Sequence, residues 1–243
     1  MVKKEVDLII ENANELITLQ GASRKPLIGE RMSELGIIKR GGLAIDKGKI
    51  VAVGKTEHIK GRFVGKEKFD ADKRVVMPGF VDPHTHLVFA GSREDEFEKR
   101  IQGVSYLAIL KEGGGILKTV KETRRATKEE LVENCLKTLK VMLEHGTTTV
   151  EAKSGYGLTT KDEVKILEVI RLLNEKQPVD IVPTFLGAHA TPPEYQDYPQ
   201  EYVNLVIDEM IPAVAEQKLA EFCDVFCEKG VFNTTQSRNI LLN

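Results

Sequence analysis

The 243-residue sequence has no tryptophan, only three cysteines and only five histidines. Three cysteines, unevenly spaced at 135, 223 and 227, do not make a disulfide framework. Excess charge of one sign is missing too: 35 basic residues face 37 acidic ones, and no basic patch stands out, so nucleic acid is excluded as a main partner. No apolar stretch approaches membrane-spanning length. In MVKKEVDLIIENANE charge interrupts the first apolar run at once, so no signal peptide is read either. These absences leave a soluble, cytoplasmic globular chain. It is long enough to bury a sizeable core, as one large domain or as a domain plus a small module.

Residues 1 to about 75 read as that module. VDLIIENANELITL and GLAIDKGKIVAVG are β-rich runs, and the second turns over at Asp46–Lys47–Gly48–Lys49, a hairpin signal. From residue 76 the pattern alternates between strand and helix. VVMPGFVDPHTH reads as a first strand, and TKEELVENCLKTLKVMLEHG as a helix with Thr127 and Glu130 as its capping box and Gly146 just past its end. TTTVEAK follows as a second strand, then DEVKILEVIRLLNEKQ as a helix capped by Thr160 and Glu163 and closed by Pro178. VDIVPTFLGAHA is a third strand. Residues 199–218 form a helix containing Pro212, AEFCDVFCEKG a fourth strand, and TTQSRNILLN the start of another helix. Near-continuous apolar strands alternating with helices predict a parallel sheet covered by helices, in an α/β barrel or a doubly wound sheet.

The chemistry concentrates at strand ends. In DPHTHLVFAGSRE two of the five histidines stand one residue apart, His84 and His86, at the end of an apolar strand. Alternation along a strand puts Asp82, His84 and His86 on one face, with the two backbones about 6–7 Å apart, so both imidazoles can converge on one cation. A lone histidine there is most often a packed ring; the strand-end placement favours a metal. EAKSGYGL places Lys153, Ser154 and Tyr156 in a glycine-flanked turn after the second strand, and GAHATPPEY places His189 in a proline-stopped loop after the third. Loops at one end of a parallel barrel converge. Arg93, Tyr156 and His189 are therefore expected near the histidine pair, although each alone is equally read as a salt bridge, a loop anchor or a satisfied loop histidine.

Other features take the plainer reading. Gly113–Gly114–Gly115 lacks the spacing of a phosphate-binding loop and reads as a flexible active-site loop. Cys223 and Cys227 read as wall or core residues of the fourth strand. His145 ends a helix, where a cation suits the dipole, and His58 lies in the β module.

VMPGFVDPHTHLVF resembles the first barrel strand of the amidohydrolase superfamily, and AGSRE, EAKSGYGL and PTFLGAHATPPEY together resemble its imidazolonepropionase family over essentially the whole chain. The resemblance implies a TIM-like (β/α) barrel, only the first half of it present over 76–243, beside a small β-sandwich module over 1–75. It implies one zinc or iron ion held by His84 and His86. Arg93, Tyr156 and His189 would bind the substrate, with Arg93 on its propanoate carboxylate. The reaction would be hydrolysis of the small molecule 4-imidazolone-5-propanoate to N-formimidoyl-L-glutamate in histidine degradation, by a homodimer when complete. The family's third histidine ligand and catalytic glutamate on the fifth strand, its histidine on the sixth and its aspartate on the eighth have no counterpart in the four strands read here. The chain is therefore expected to be the N-terminal part of such an enzyme, with its catalytic base unassigned. The competing expectations are another amidohydrolase, such as a ring deaminase, and a non-catalytic fragment.

Overall fold

The computed structural model describes residues 2–20, 27–105, 108–109 and 113–243. The chain divides into two compact units, Met1–Pro78 and Gly79–Asn243.

The first unit is built around one long strand, β1 (Lys4–Ile17). It pairs antiparallel with β2 (Ile37–Asp46) and parallel with β4 (Phe63–Asp70), then with the short β5 (Val75–Val76). β2 in turn pairs antiparallel with β3 (Lys49–Lys55). The turn between β2 and β3 has φ of 52° at Lys47 and 71° at Gly48, the two positive values that a two-residue hairpin matched to strand twist requires. Asn12, at φ 60°, marks the register shift in β1. The helix α1 (Thr56–Arg62), which the reading of this region as strands alone did not anticipate, packs Ile59 on Val6, Ile9, Ala44 and Phe63.

The second unit contains a four-stranded parallel sheet in the order β6 (Phe80–Thr85), β7 (Thr147–Lys153), β8 (Asp180–Ala188), β9 (Phe222–Val225). Sequential order with every pair parallel is the winding of a barrel wall; a doubly wound sheet reverses its order at a switch point. The expected barrel-type α/β fold is thus present as a half-barrel sheet. Among the described residues its α-helices are α2 (Glu94–Ile101), α3 (Ile116–Arg125), α4 (Lys128–Glu144), α5 (Thr160–Lys176), α6 (Pro199–Leu205), α7 (Ile211–Glu216) and α8 (Thr234–Leu241). One core cluster joins Leu131, Cys135 and Leu139 of α4, Ile166, Leu167 and Ile170 of α5, and Val150 and Ala152 on the outer face of β7. Among the described residues no helix is long and apolar enough to cross a membrane.

Several sequence expectations change in detail. VVMPGFVDPHTH is not one strand: Val75–Val76 pairs with β1 in the first unit, and Phe80–Thr85 pairs with β7 in the second. Pro78, which cannot donate to a ladder, and Gly79 stand at the break. The helix expected over 199–218 widens into a π-helical segment, Val206–Met210, before Pro212, whose missing N–H falls at the start of α7. The fourth strand is only Phe222–Val225, and both Cys223 and Cys227 are exposed, so neither is a core residue. The capping box of Thr127 and Glu130 forms as the sequence implies.

Tyr202 of α6 is fully buried, and its hydroxyl donates to the Gly187 carbonyl in β8 at 2.7 Å. Tyr202→Phe removes that bond two residues before His189. The expected loss is about 1–3 kcal/mol of unfolding free energy in urea titration. A loss indistinguishable from zero would show that the bond contributes nothing to holding β8.

Candidate metal and substrate site

The end of β6 is irregular. Asp82 pairs with Val150 and Thr85 with Ala152, so two residues of β6, Pro83 and His84, oppose one of β7, Glu151. Such a bulge re-aims side chains. Asp82 turns its carboxylate to the His84 N–H at 3.3 Å, Thr85 donates to the Glu151 carbonyl at 2.7 Å, and His86 lies just past the strand. The rings of His84 and His86 come to 5.8 Å between centroids. His84 is exposed and His86 half-buried. Burial, then the neighbouring His189 and His84, push the His86 pKa down to about 4. Its ring is neutral at physiological pH, the form that a metal ligand needs. The His86 Nδ1 is buried with no hydrogen-bond partner.

Beyond β7 the chain enters the turn Ser154–Leu158. Ser154 N–H donates to the Thr184 carbonyl at 3.0 Å, and Ser154 Oγ accepts from the Leu186 N–H at 3.0 Å, so pairing with β8 persists past the strand end. Gly155 has φ of 109°, and a Cβ there would lie 2.8 Å from His189, which only glycine avoids. The Tyr156 ring stands 5.0 Å from His86 and 5.3 Å from His189. Burial raises the Tyr156 pKa, against the opposing pull of the Arg93 charge.

His189, one residue past β8, stacks on His86 at 4.5 Å and 9°. Its Nδ1 lies 3.0 Å from the Gly155 carbonyl, which can only accept, so Nδ1 carries the proton and the neutral ring keeps Nε2 as an acceptor. Burial lowers its pKa. Arg93 stands at the N-terminus of α2 and lines a hollow of about 290 Å³ with Phe89, Gly91, Ser92, Thr119 and Tyr156. The structure thus gathers His84, His86, Tyr156 and His189 into one ring cluster and sets Arg93 against its Tyr156 side. His58 lies on α1 in the other unit, and His145 caps α4 with its Nδ1 2.8 Å from the Val141 carbonyl. Gly115 is the N-cap of α3 and gives its N–H to the buried Glu96, so here the triple glycine starts a helix.

Sequence reasoning missed the charged layer beneath the cluster. Lys153 Nζ donates to Glu151 at 2.7 Å and to Asp224 at 3.0 Å, and Thr184 Oγ1 donates to the same Glu151 oxygen at 2.6 Å. Burial opposes the Lys153 charge, but these two carboxylates outweigh it and hold its pKa above the ordinary lysine value. The signal was the spacing Glu151–x–Lys153, which places both on one face of a strand otherwise read as apolar.

A model of the amidohydrolase family matches residues 75–226. The chain belongs to this family. It is similar to the imidazolonepropionases of Geobacillus kaustophilus (strain HTA426) and Alkaliphilus metalliredigens (strain QYMF). It is 52% identical to the first over 96% of this chain and 53% identical to the second over 97%. The chain spans about half the length of these curated relatives, 56% of each. Among solved structures it is similar to a zinc-bound adenosine deaminase from Xanthomonas campestris. That likeness has a TM-score of 0.53 at 17% identity and covers 86% of this chain and 42% of that one. It is also similar to a 5-methylcytosine deaminase from Klebsiella pneumoniae, with TM-score 0.52 at 17% identity, covering 96% and 54% of the two chains. At that identity the likeness shows the amidohydrolase fold alone.

The charged layer makes this family member's site sensitive to one substitution. Lys153→Met would leave the half-buried Glu151 without its cation. Breaking a buried pair costs several kcal/mol, discounted here because Asp224 is 45% exposed, so a loss of about 3 kcal/mol is expected in chemical unfolding. Combining it with Glu151→Gln should recover part of that loss. A loss below about 1 kcal/mol would mean that solvent already screens the network.

Proposed function

We propose that this chain carries the first part of the site of an imidazolonepropionase, hydrolysing the cyclic amide of 4-imidazolone-5-propanoate to N-formimidoyl-L-glutamate. The observation that carries the reading is the convergence of His84, His86, Tyr156 and His189 beside Arg93, in a chain about half identical to imidazolonepropionases. One zinc or iron ion, a homodimeric assembly and a cytoplasmic setting belong to the same reading.

The residues present fit part of an ion's coordination shell. His84 and His86 offer imidazole nitrogens from one strand end, and the orphaned Nδ1 of His86 is an acceptor in want of a partner. Bound there, a divalent cation supplies Lewis acidity, lowering the pKa of water and polarising a carbonyl. In the reaction water adds to the ring carbonyl carbon, the amide C–N bond breaks, and the ring nitrogen leaves as part of the formimidoyl group. This chain's own residues bind and orient. The planar Arg93 guanidinium suits a propanoate carboxylate in a two-pronged pair. The Tyr156 hydroxyl and the His189 Nε2 face the same cluster and can hydrogen-bond the ring and its oxygen. The stacked His86 and His189 rings, with Phe89 and Phe226 beside Tyr156 and His189, give a flat heterocycle an aromatic wall.

Replacing His84 and His86 together with Ala should remove bound metal, measured by elemental analysis, and turnover with it. Full metal occupancy in the double variant would end the assignment. Arg93→Met should lower kcat/KM about ten- to a hundredfold, the equivalent of roughly 1.5–3 kcal/mol for a hydrogen bond to a charged group. The loss should largely vanish for an analogue lacking the carboxylate. An equal loss with both compounds would make Arg93 structural, and release of ammonia in place of ring opening would move the reading to a deaminase.

A further inference from the structure

Glu163 has no part in the reaction proposed above, yet it is the most completely enclosed charged group near the site. Its relative exposure is 0%. From the first turn of α5 its carboxylate reaches back to the loop after β7. Oε2 accepts from Gly155 N–H at 2.9 Å, and Oε1 from Gly157 N–H and Leu158 N–H, both at 2.8 Å. The Ser154 hydroxyl donates to the same carboxylate, and Ser154 Oγ meanwhile accepts from Leu186 N–H in β8. Burial pushes the Glu163 pKa up, and these donors pull it back.

Starting the helix does not require this arrangement. The sequence reads Thr160 and Glu163 as the cap of α5, but the cap is Thr159, which accepts from Asp162 N–H at 3.1 Å and donates to the Asp162 carboxylate at 2.8 Å. With the helix start already satisfied, Glu163 is free to face inward. Taking a carboxylate out of water is costly unless donors surround it, and all of its donors lie in residues 154–158. That segment holds two positive-φ positions, Gly155 at 109° and Leu158 at 54°, the second uncommon for a residue with a Cβ. Tyr156 sits at its centre, with both neighbours bonded to Glu163. The Gly155 carbonyl holds His189 Nδ1. One carboxylate therefore fixes the backbone that presents Tyr156 and, with it, the Gly155 carbonyl on which the His189 ring rests.

We propose that Glu163 is a positioning residue of the site, setting the Tyr156 ring directly and His189 through Gly155. This deepens the proposed substrate role of those two residues and rests on that reading for its binding arm. The test compares Glu163→Gln, Tyr156→Phe and their double variant in the metal-loaded protein, by calorimetric binding of N-formimidoyl-L-glutamate. In parallel, tyrosine ring resonances are recorded by NMR, with Tyr156 assigned through Tyr156→Phe. Glu163→Gln keeps the shape but turns an NH2 group toward N–H donors.

Because a misplacement of about 1 Å can cost on the order of a hundredfold, Glu163→Gln should weaken binding at least about tenfold with metal content unchanged. The double variant should lose clearly less than the sum of the two single losses, since both changes disable the Tyr156 contact and only Glu163→Gln also disturbs His189. The Tyr156 ring resonances should shift while those of Tyr198, which is exposed and lies after β8, stay in place. Simply additive losses, or an unmoved Tyr156 resonance, overturn the proposal. If the parent protein does not bind the probe, the functional reading fails, and the NMR arm alone decides the positioning role. Should Glu163→Gln not fold, Ser154→Ala replaces it. That variant removes one donor of the set and should shift the Tyr156 resonance and couple to Tyr156→Phe in the same sense; no shift is again a refutation.

Discussion

The pairing of β7 with β8 is the constraint from which the site's geometry follows. Its ladder runs from Thr149 with Asp180 to Lys153 with Thr184, and it does not stop where the strands do. Ser154 continues it with a backbone bond to Thr184 and a side-chain bond from Leu186, and His189 closes it on Gly155. Two loops that would otherwise leave the sheet independently are thereby tied together for several residues. β6 lies on the other side of β7, joined by Thr85 to the Glu151 carbonyl. Because all these strands are parallel, their C-terminal ends open at one edge, and functional groups carried there from distant parts of the sequence meet without any further device.

The same pairing explains why charge can lie inside. Glu151 and Lys153 project from one face of β7, Thr184 from the adjacent position on β8, and Asp224 from β9. Lys153 offsets Glu151 on its own strand and Asp224 two strands away, so the layer survives in a wall whose other face is aliphatic. Buried pairs of this kind are weak contributors to stability, since desolvation offsets most of the attraction. Their effect is local: the Lys153 charge adds to burial in keeping the His86 ring neutral.

What the sequence discloses here is whatever follows a short period. The His84–x–His86 spacing, the box of Thr127 and Glu130, the turn at Lys47–Gly48 and the alternation of strand and helix are all local patterns, and the structure contains each of them. What stays hidden needs a partner remote in sequence or a local competitor. Glu163 has the spacing of a capping residue, and only the fold-back of 155–158 gives it other donors. VVMPGFVDPHTH is apolar enough to read as one strand, and only the separate sheets divide it. α3 follows three glycines and carries four β-branched residues, Ile116, Thr119, Val120 and Thr123, which weaken the local signal for the helix that Gly115 begins. Cys223 and Cys227 alternate like wall residues, but both are exposed, and Cys227 lies beyond the strand end at Val225.

The site residues differ in how firmly the chain holds them, and that order matches the tasks proposed for them. The histidine pair rides on a strand end and its bulge, where the backbone itself sets the ring separation. Tyr156 and His189 sit in loops, but the loops are bonded to a buried carboxylate and to each other. Arg93 has the lightest support. It begins the short helix α2, which reaches α3 through Glu96 to Gly115 and through the exposed pair of Asp95 with Lys118. A metal site tolerates little error in ligand placement, and a ring held for attack tolerates little more. A carboxylate on a flexible propanoate arm can instead adjust to its guanidinium. Support is densest where the proposed chemistry demands distance and angle, and lightest where charge attraction across a few ångströms suffices.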